Sequence, residues 1–111
     1  MASQVEILWW EGCPSSGAAH DLVRRVMAEA GLDPDSLRSI EVATEETAEH
    51  QGFVGSPTIR VDGADVDPPP GGEPTGLTCR VYRLRDGRYS PTPDPATVRA
   101  ALDTAMTRST Q

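Results

Sequence analysis

The chain has 111 residues, 37% of them hydrophobic, with 17 acidic against 10 basic side chains and a net charge of −7. That length holds one domain with one core. No apolar run nears the roughly 18 residues of a membrane helix, and the negative charge repels phosphate backbones and anionic lipid, so neither a membrane nor a nucleic acid is an expected partner.

Val5-Glu6-Ile7-Leu8-Trp9-Trp10 is β-branched and aromatic, ends at Glu11-Gly12, and reads as a strand buried on both faces. The residues before it carry no positive run, so a secretory signal is not expected. After Cys13-Pro14 the pattern turns helical: Ala18, Leu22, Val26 and Ala30 fall four apart, flanked by Ala19, Val23 and Met27. Pro14 suits the first helical position and Gly31 the C-terminal cap, which predicts Cys13 as the N-cap. Leu37–Val42 reads as a second strand. Thr44 can cap a short acidic helix ending at Gly52, and Thr58–Val61 resumes as a strand after Gly55-Ser56-Pro57. Asp62–Gly76, with Pro68–Gly72 at its centre, reads as a polar loop. Cys79–Leu84 alternates as a further strand, and Asp86-Gly87 is a hairpin signal leading into Arg88-Tyr89. Asp94-Pro95 opens a final helix with Val98, Leu102, Ala105 and Met106 inward.

The order β-α-β-α-β-β-α predicts one α/β domain over residues 1–111, a mixed four-stranded sheet with helices on both faces. The first three strands, alternating with helices, imply a parallel βαβ unit with right-handed crossover. The last two strands and the closing helix form an antiparallel extension.

Chemistry points first to Cys13. At an N-cap its sulfur faces the free N–H groups of Ser15 and Ser16 and the positive end of the helix dipole. Thiols so placed titrate at roughly 3.5–7.5. Such a thiolate is a nucleophile and a soft metal ligand; the alternative is a buried, inert cysteine. Two cysteines are too few for a disulfide-stapled mini-protein, so a cytoplasmic chain with reduced thiols is expected. There is no lysine, hence no Schiff-base or phosphate-loop amine. His20 lies about 10 Å of helical rise beyond Cys13, too far for direct base catalysis, and reads as a surface histidine. His50 has no second ligand at metal spacing. Asp62, Asp65 and Asp67 lack the calcium-loop pattern and read as a solvated acidic loop.

Element order, a cysteine opening the first helix and a Ser-Pro-Thr before the third strand together resemble the thioredoxin-like superfamily, over roughly Val5 to Met106. Trp9-Trp10-Glu11-Gly12-Cys13-Pro14-Ser15-Ser16 is similar to its redox loop, and Gly55-Ser56-Pro57-Thr58 to the cis-proline loop beside it. Ser16 stands where the family usually has a second cysteine, so the closer likeness is to monothiol branches and to small bacterial thioredoxin-like and alkylmercury-lyase-like proteins. The resemblance implies a catalytic Cys13 supported by Ser16, with Trp10, Pro14, Ser56, Pro57 and Thr58 contacting substrate. It also implies a cis Pro57 that holds the Ser56 backbone open for an extended segment. Strand three should leave this edge at Pro57, so Cys79, near the start of the next strand, is expected far from Cys13. That separation exceeds the roughly 7 Å Cα limit of a disulfide. Cys79 is then a packed core thiol, unless the 62–76 loop brings it back as a resolving thiol or leaves it exposed.

The leading expectation is thiol–disulfide exchange through the single nucleophile Cys13. No cofactor is expected beyond a low-molecular-weight thiol co-substrate, glutathione-like or mycothiol-like. The partner is a protein or small-molecule disulfide, and the chain a monomer or weak dimer. The alternatives are a non-catalytic binding module presenting the Ser56-Pro57 edge, and mercury, copper or iron–sulfur handling through Cys13.

Overall fold

The computed structural model describes residues 3–69, 71 and 74–109. Their elements are β1 (Val5–Trp9), α1 (Ser16–Glu29), β2 (Arg38–Glu41), α2 (Glu45–Gln51), β3 (Thr58–Val61), β4 (Ala64–Asp65), β5 (Tyr82–Arg83), β6 (Tyr89–Ser90) and α3 (Pro95–Ser109), with a 3-10 turn at Pro34–Ser36. Four strands form a mixed sheet in the order β2-β1-β3-β4, and β5 pairs with β6 as a separate ribbon.

The alternation of β1 splits the core into two layers. Val5 and Ile7 pack with Ala19, Val23, Val26 and Met27 of α1, Val98, Leu102 and Ala105 of α3, and Ile59 and Val61 of β3. Leu8 faces the other way, onto Val42, Ala48 of α2 and Phe53. Helices therefore cover both faces of the sheet.

The helix ends follow from local chemistry. Gly31 takes the left-handed conformation after α1 (φ 84°), its N–H bonding the carbonyl of Ala28 while that of Leu32 bonds Met27. The Thr44 hydroxyl accepts the Thr47 N–H at 3.1 Å, Gly52 closes α2 at φ 62°, and the Asp94 carboxylate accepts the Ala96 N–H at 2.9 Å.

Three expectations change. Only β1 and β2 are parallel; β3 runs antiparallel to β1, Thr58 opposite Leu8 and Val61 opposite Val5. The seven residues of α2 rise only about 10 Å. The chain therefore re-enters the sheet at the end it left, and β3 runs back. The fourth strand is Ala64–Asp65, inside the stretch expected as a loop, turned by Asp62 (φ 51°) and Gly63 (φ 85°). Two positive-φ residues in succession are what a two-residue hairpin turn requires. Lastly, 79–84 is no strand of this sheet: Cys79 forms one isolated parallel bridge with Ser56, and Tyr82-Arg83 pairs with Tyr89-Ser90.

Candidate functional site

Cys13 follows β1 on a tight turn, its N–H bonded to the Trp10 carbonyl at 3.0 Å. The N-cap of α1 is Ser15, so Cys13 stands two residues before the cap rather than on it. Only 3% of the residue is exposed. Burial pushes its thiol up, but hydrogen bonds from the Ser15 N–H, the Cys79 side chain, and the hydroxyls of Ser56 and Ser15 outweigh it and hold the thiol below its ordinary range. When protonated, the same sulfur donates to the Ser56 carbonyl at 3.4 Å.

Cys79 is therefore neither distant from Cys13 nor packed in the core. It is exposed and bridges to Ser56, whose carbonyl lies 3.4 Å from the Cys13 sulfur, close enough for each thiol to act on the titration of the other. That closeness, with burial and the charge of Cys13, pushes the Cys79 thiol up. The backbone explains the meeting. The Ser56 N–H donates to the Thr78 carbonyl and the Arg80 N–H to the Ser56 carbonyl, both at 2.8 Å. Residues 78–80 thus lie on Ser56 like a short added strand.

Ser56 is consequently not open. Both its backbone groups are taken by the chain itself, its hydroxyl accepts the Trp10 N–H at 3.0 Å, and Ser56, Pro57 and Thr58 are all buried. The Ser56–Pro57 peptide bond is cis. The Thr58 hydroxyl donates to the Gly55 carbonyl at 2.6 Å. Pro14 is exposed at the mouth of the turn, and Trp10 is half-buried against the Leu8–Phe53 layer with its ring over Gly12. Ser16 begins α1 and gives its carbonyl to His20 at 2.7 Å; the serines acting on Cys13 are Ser15 and Ser56. His20 also reaches the Ser39 hydroxyl at 2.8 Å and meets Trp9 edge-on, away from the sulfurs.

Arg80 and Tyr82 organise this site, and neither stood out in the sequence. The Arg80 guanidinium is buried, paired with Asp65 at 2.7 Å and bonded to the Thr58 hydroxyl and the Asp67 carbonyl. It stacks 4.4 Å from the centroid of the Tyr82 ring. The Tyr82 hydroxyl donates to the Pro57 carbonyl at 2.6 Å, and burial pushes it far up its range. Asp65 is accordingly a structural ion-pair partner rather than part of a solvated loop. Its cue was the Asp62-Gly63 turn, which carries the same dipeptide signal as Asp86-Gly87. Gly55 is required by close approach: at φ 148°, a Cβ there would lie 2.9 Å from that of Arg80.

Among the described residues, no group of three or more His, Cys, Asp or Glu side chains is gathered to hold a metal ion, and no helix is long and apolar enough to cross a membrane. Comparison with family models, with curated proteins and with solved structures finds no match.

Proposed function

We propose that this chain is a cytoplasmic, thioredoxin-like thiol–disulfide oxidoreductase whose working groups are Cys13 and Cys79. The observation that carries this reading is the convergence of both cysteines on Ser56. The Cys13 sulfur lies 3.4 Å from its carbonyl and Cys79 bridges to its backbone, with Cys13 held down and Cys79 held up in titration by their surroundings. Of the two, Cys13 gives up its proton the more readily and Cys79 keeps its hydrogen the longer. Oxidation joins the two sulfurs within one chain, so the thiol missing at Ser16 is supplied by a distant segment.

The sheet order β2-β1-β3-β4, with a cysteine turn after β1 and a Ser-Pro before β3, supports the thioredoxin-like part of the reading. The binding-module alternative gains nothing comparable, because the edge it would present is covered by Thr78 and Arg80. A cytoplasmic thiol pool would keep such a pair reduced between turnovers.

The test is to titrate the reduced chain with glutathione disulfide and follow free thiols and intact mass. Loss of both thiols within the monomer, with two hydrogens lost and Cys13 linked to Cys79 by peptide mapping, is the expected result. Two thiols that stay free, or that only join separate chains, would refute the reading.

A further inference from the structure

We infer that external disulfides and thiols enter this site through the sulfur of Cys79, with Cys13 as the buried partner that closes and releases the bond, and that the entering molecule is a low-molecular-weight thiol compound rather than a protein segment. The inference deepens the dithiol reading above and rests on it.

Accessibility comes first. Exchange proceeds by nearly linear attack on a sulfur, so an incoming group must reach that sulfur from outside. Cys13 is 3% exposed, whereas Cys79 is exposed and lines a cavity of about 400 Å³ with Thr78, Arg80, Val81, Arg83 and Asp67. That volume falls among sites for small molecules. Cys79 lines this cavity and Cys13 does not, so a small disulfide seated there meets the Cys79 sulfur first.

The backbone then decides size. An extended protein segment docking beside a thiol by strand addition needs free N–H and C=O groups at the edge. Here both such groups of Ser56 are bonded to Thr78 and Arg80, and Gly55 presses against the Arg80 backbone behind them. Arg80 is held in turn by Asp65, Thr58 and the Asp67 carbonyl. The place where a foreign strand would lie is filled by the segment that carries Cys79. A small molecule needs none of those backbone groups.

The chemistry closes with two cysteines and one disulfide, RSSR. The Cys79 S–H passes its proton to the Cys13 thiolate as its sulfur attacks RSSR, forming Cys79–S–S–R and expelling RS⁻. That anion takes the proton from Cys13 and leaves as RSH. The regenerated Cys13 thiolate attacks the Cys79 sulfur, closing Cys13–S–S–Cys79 and expelling a second RS⁻. Two electrons pass from the cysteine sulfurs to RSSR, with one proton and one negative charge on each side. In reverse, a small thiolate attacks the Cys79 sulfur and Cys13 departs, the better leaving group because its thiolate is the more stabilised.

The experiment uses glutathione disulfide as probe on Cys13→Ser and Cys79→Ser, each checked for folding by its urea midpoint, with adduct formation timed by intact mass. Cys13→Ser is expected to take glutathione at the rate of an exposed thiol, and Cys79→Ser at least about tenfold more slowly, buried access outweighing thiolate fraction. In the wild-type chain, acid quenching early in the reaction should place the mixed disulfide on Cys79, a readout that stands even if a variant folds poorly. The disulfides of insulin should oxidise the reduced chain far more slowly than glutathione disulfide. A mixed disulfide mapped to Cys13, or equal rates with insulin and glutathione disulfide, would overturn the inference while leaving the dithiol pair standing. Failure of the wild-type chain to form its internal disulfide would instead overturn the pair.

Discussion

The segment around Cys13 and the segment around Cys79 reach the same point of the molecule by different means. Cys13 hangs between a central strand and a long helix, both rooted in the apolar layers, so its position is set by packing. Cys79 sits on irregular chain, with a two-residue ribbon after it and a proline-rich stretch before it. Its position is set by polar contacts: two backbone bonds to Ser56 and the Arg80 clamp. The difference carries into chemistry, since the packed thiol is stabilised as an anion and the clamped thiol is reachable. The redox reading proposed above needs both properties, and they are divided between the two sulfurs.

The comparison breaks most easily at Arg80. Arg80→Ala leaves the Asp65 carboxylate, only 16% exposed, without its cation. Removing one partner of such a pair should cost about 3 kcal/mol, visible in urea unfolding. A loss below about 1 kcal/mol would show that Cys79 is held by something other than this clamp.

Gly55→Ala tests the same contact from the other side. A Cβ at φ 148° and 2.9 Å from the Arg80 Cβ must push residues 78–80 away from Ser56. We expect about 2 kcal/mol of destabilisation, together with a Cys13 thiol that titrates higher because its Cys79 donor has moved. Unchanged Cys13 alkylation in a folded Gly55→Ala protein would contradict that coupling.

The mildest perturbation sharpens the comparison instead. Cys79→Ala removes a donor to the Cys13 thiolate, so the Cys13 alkylation profile should shift to higher pH. Cys13→Ala removes the anion that holds Cys79 up, so the Cys79 profile should shift to lower pH. In the intact protein, alkylation of Cys13 should begin below the free-thiol value near 8.5 and rise through its own lowered pKa. Shifts of the same sign in both variants would dissolve the pair.

What the sequence disclosed follows from how local each feature is. Gly31, Thr44, Gly52 and Asp94 mark helix ends because each acts on backbone groups a few residues away. Val98, Leu102 and Ala105 of α3 follow their period, but in α1 the stripe is displaced. Ala18, expected inward with Leu22, Val26 and Ala30, is exposed, and the buried line runs through Ala19, Val23, Val26 and Met27. The two-residue β4 was not legible: two residues hold no alternation, and Asp62-Gly63 was the sole cue. Pro14 marks a helix start two residues before the true one: α1 begins at Ser16 with Ser15 as its cap, so Ser15 acts where the sequence points to Ser16. The meeting of the sulfurs was the least legible feature. It depends on where the chain returns after 68–76, and a polar clamp between Arg80 and Asp65 leaves no periodic trace.

The anchors around that return have a consequence for engineering. Asp67 is tied to Arg80 on one side, and the Gly76 N–H to the Phe53 carbonyl on the other. Between those ties Pro69 and Pro74 wall the cavity beside Cys79, while the Asp67 and Gly76 bonds hold the two ends in place. Substitutions at these two prolines are thus a way to change what the cavity admits without touching either sulfur.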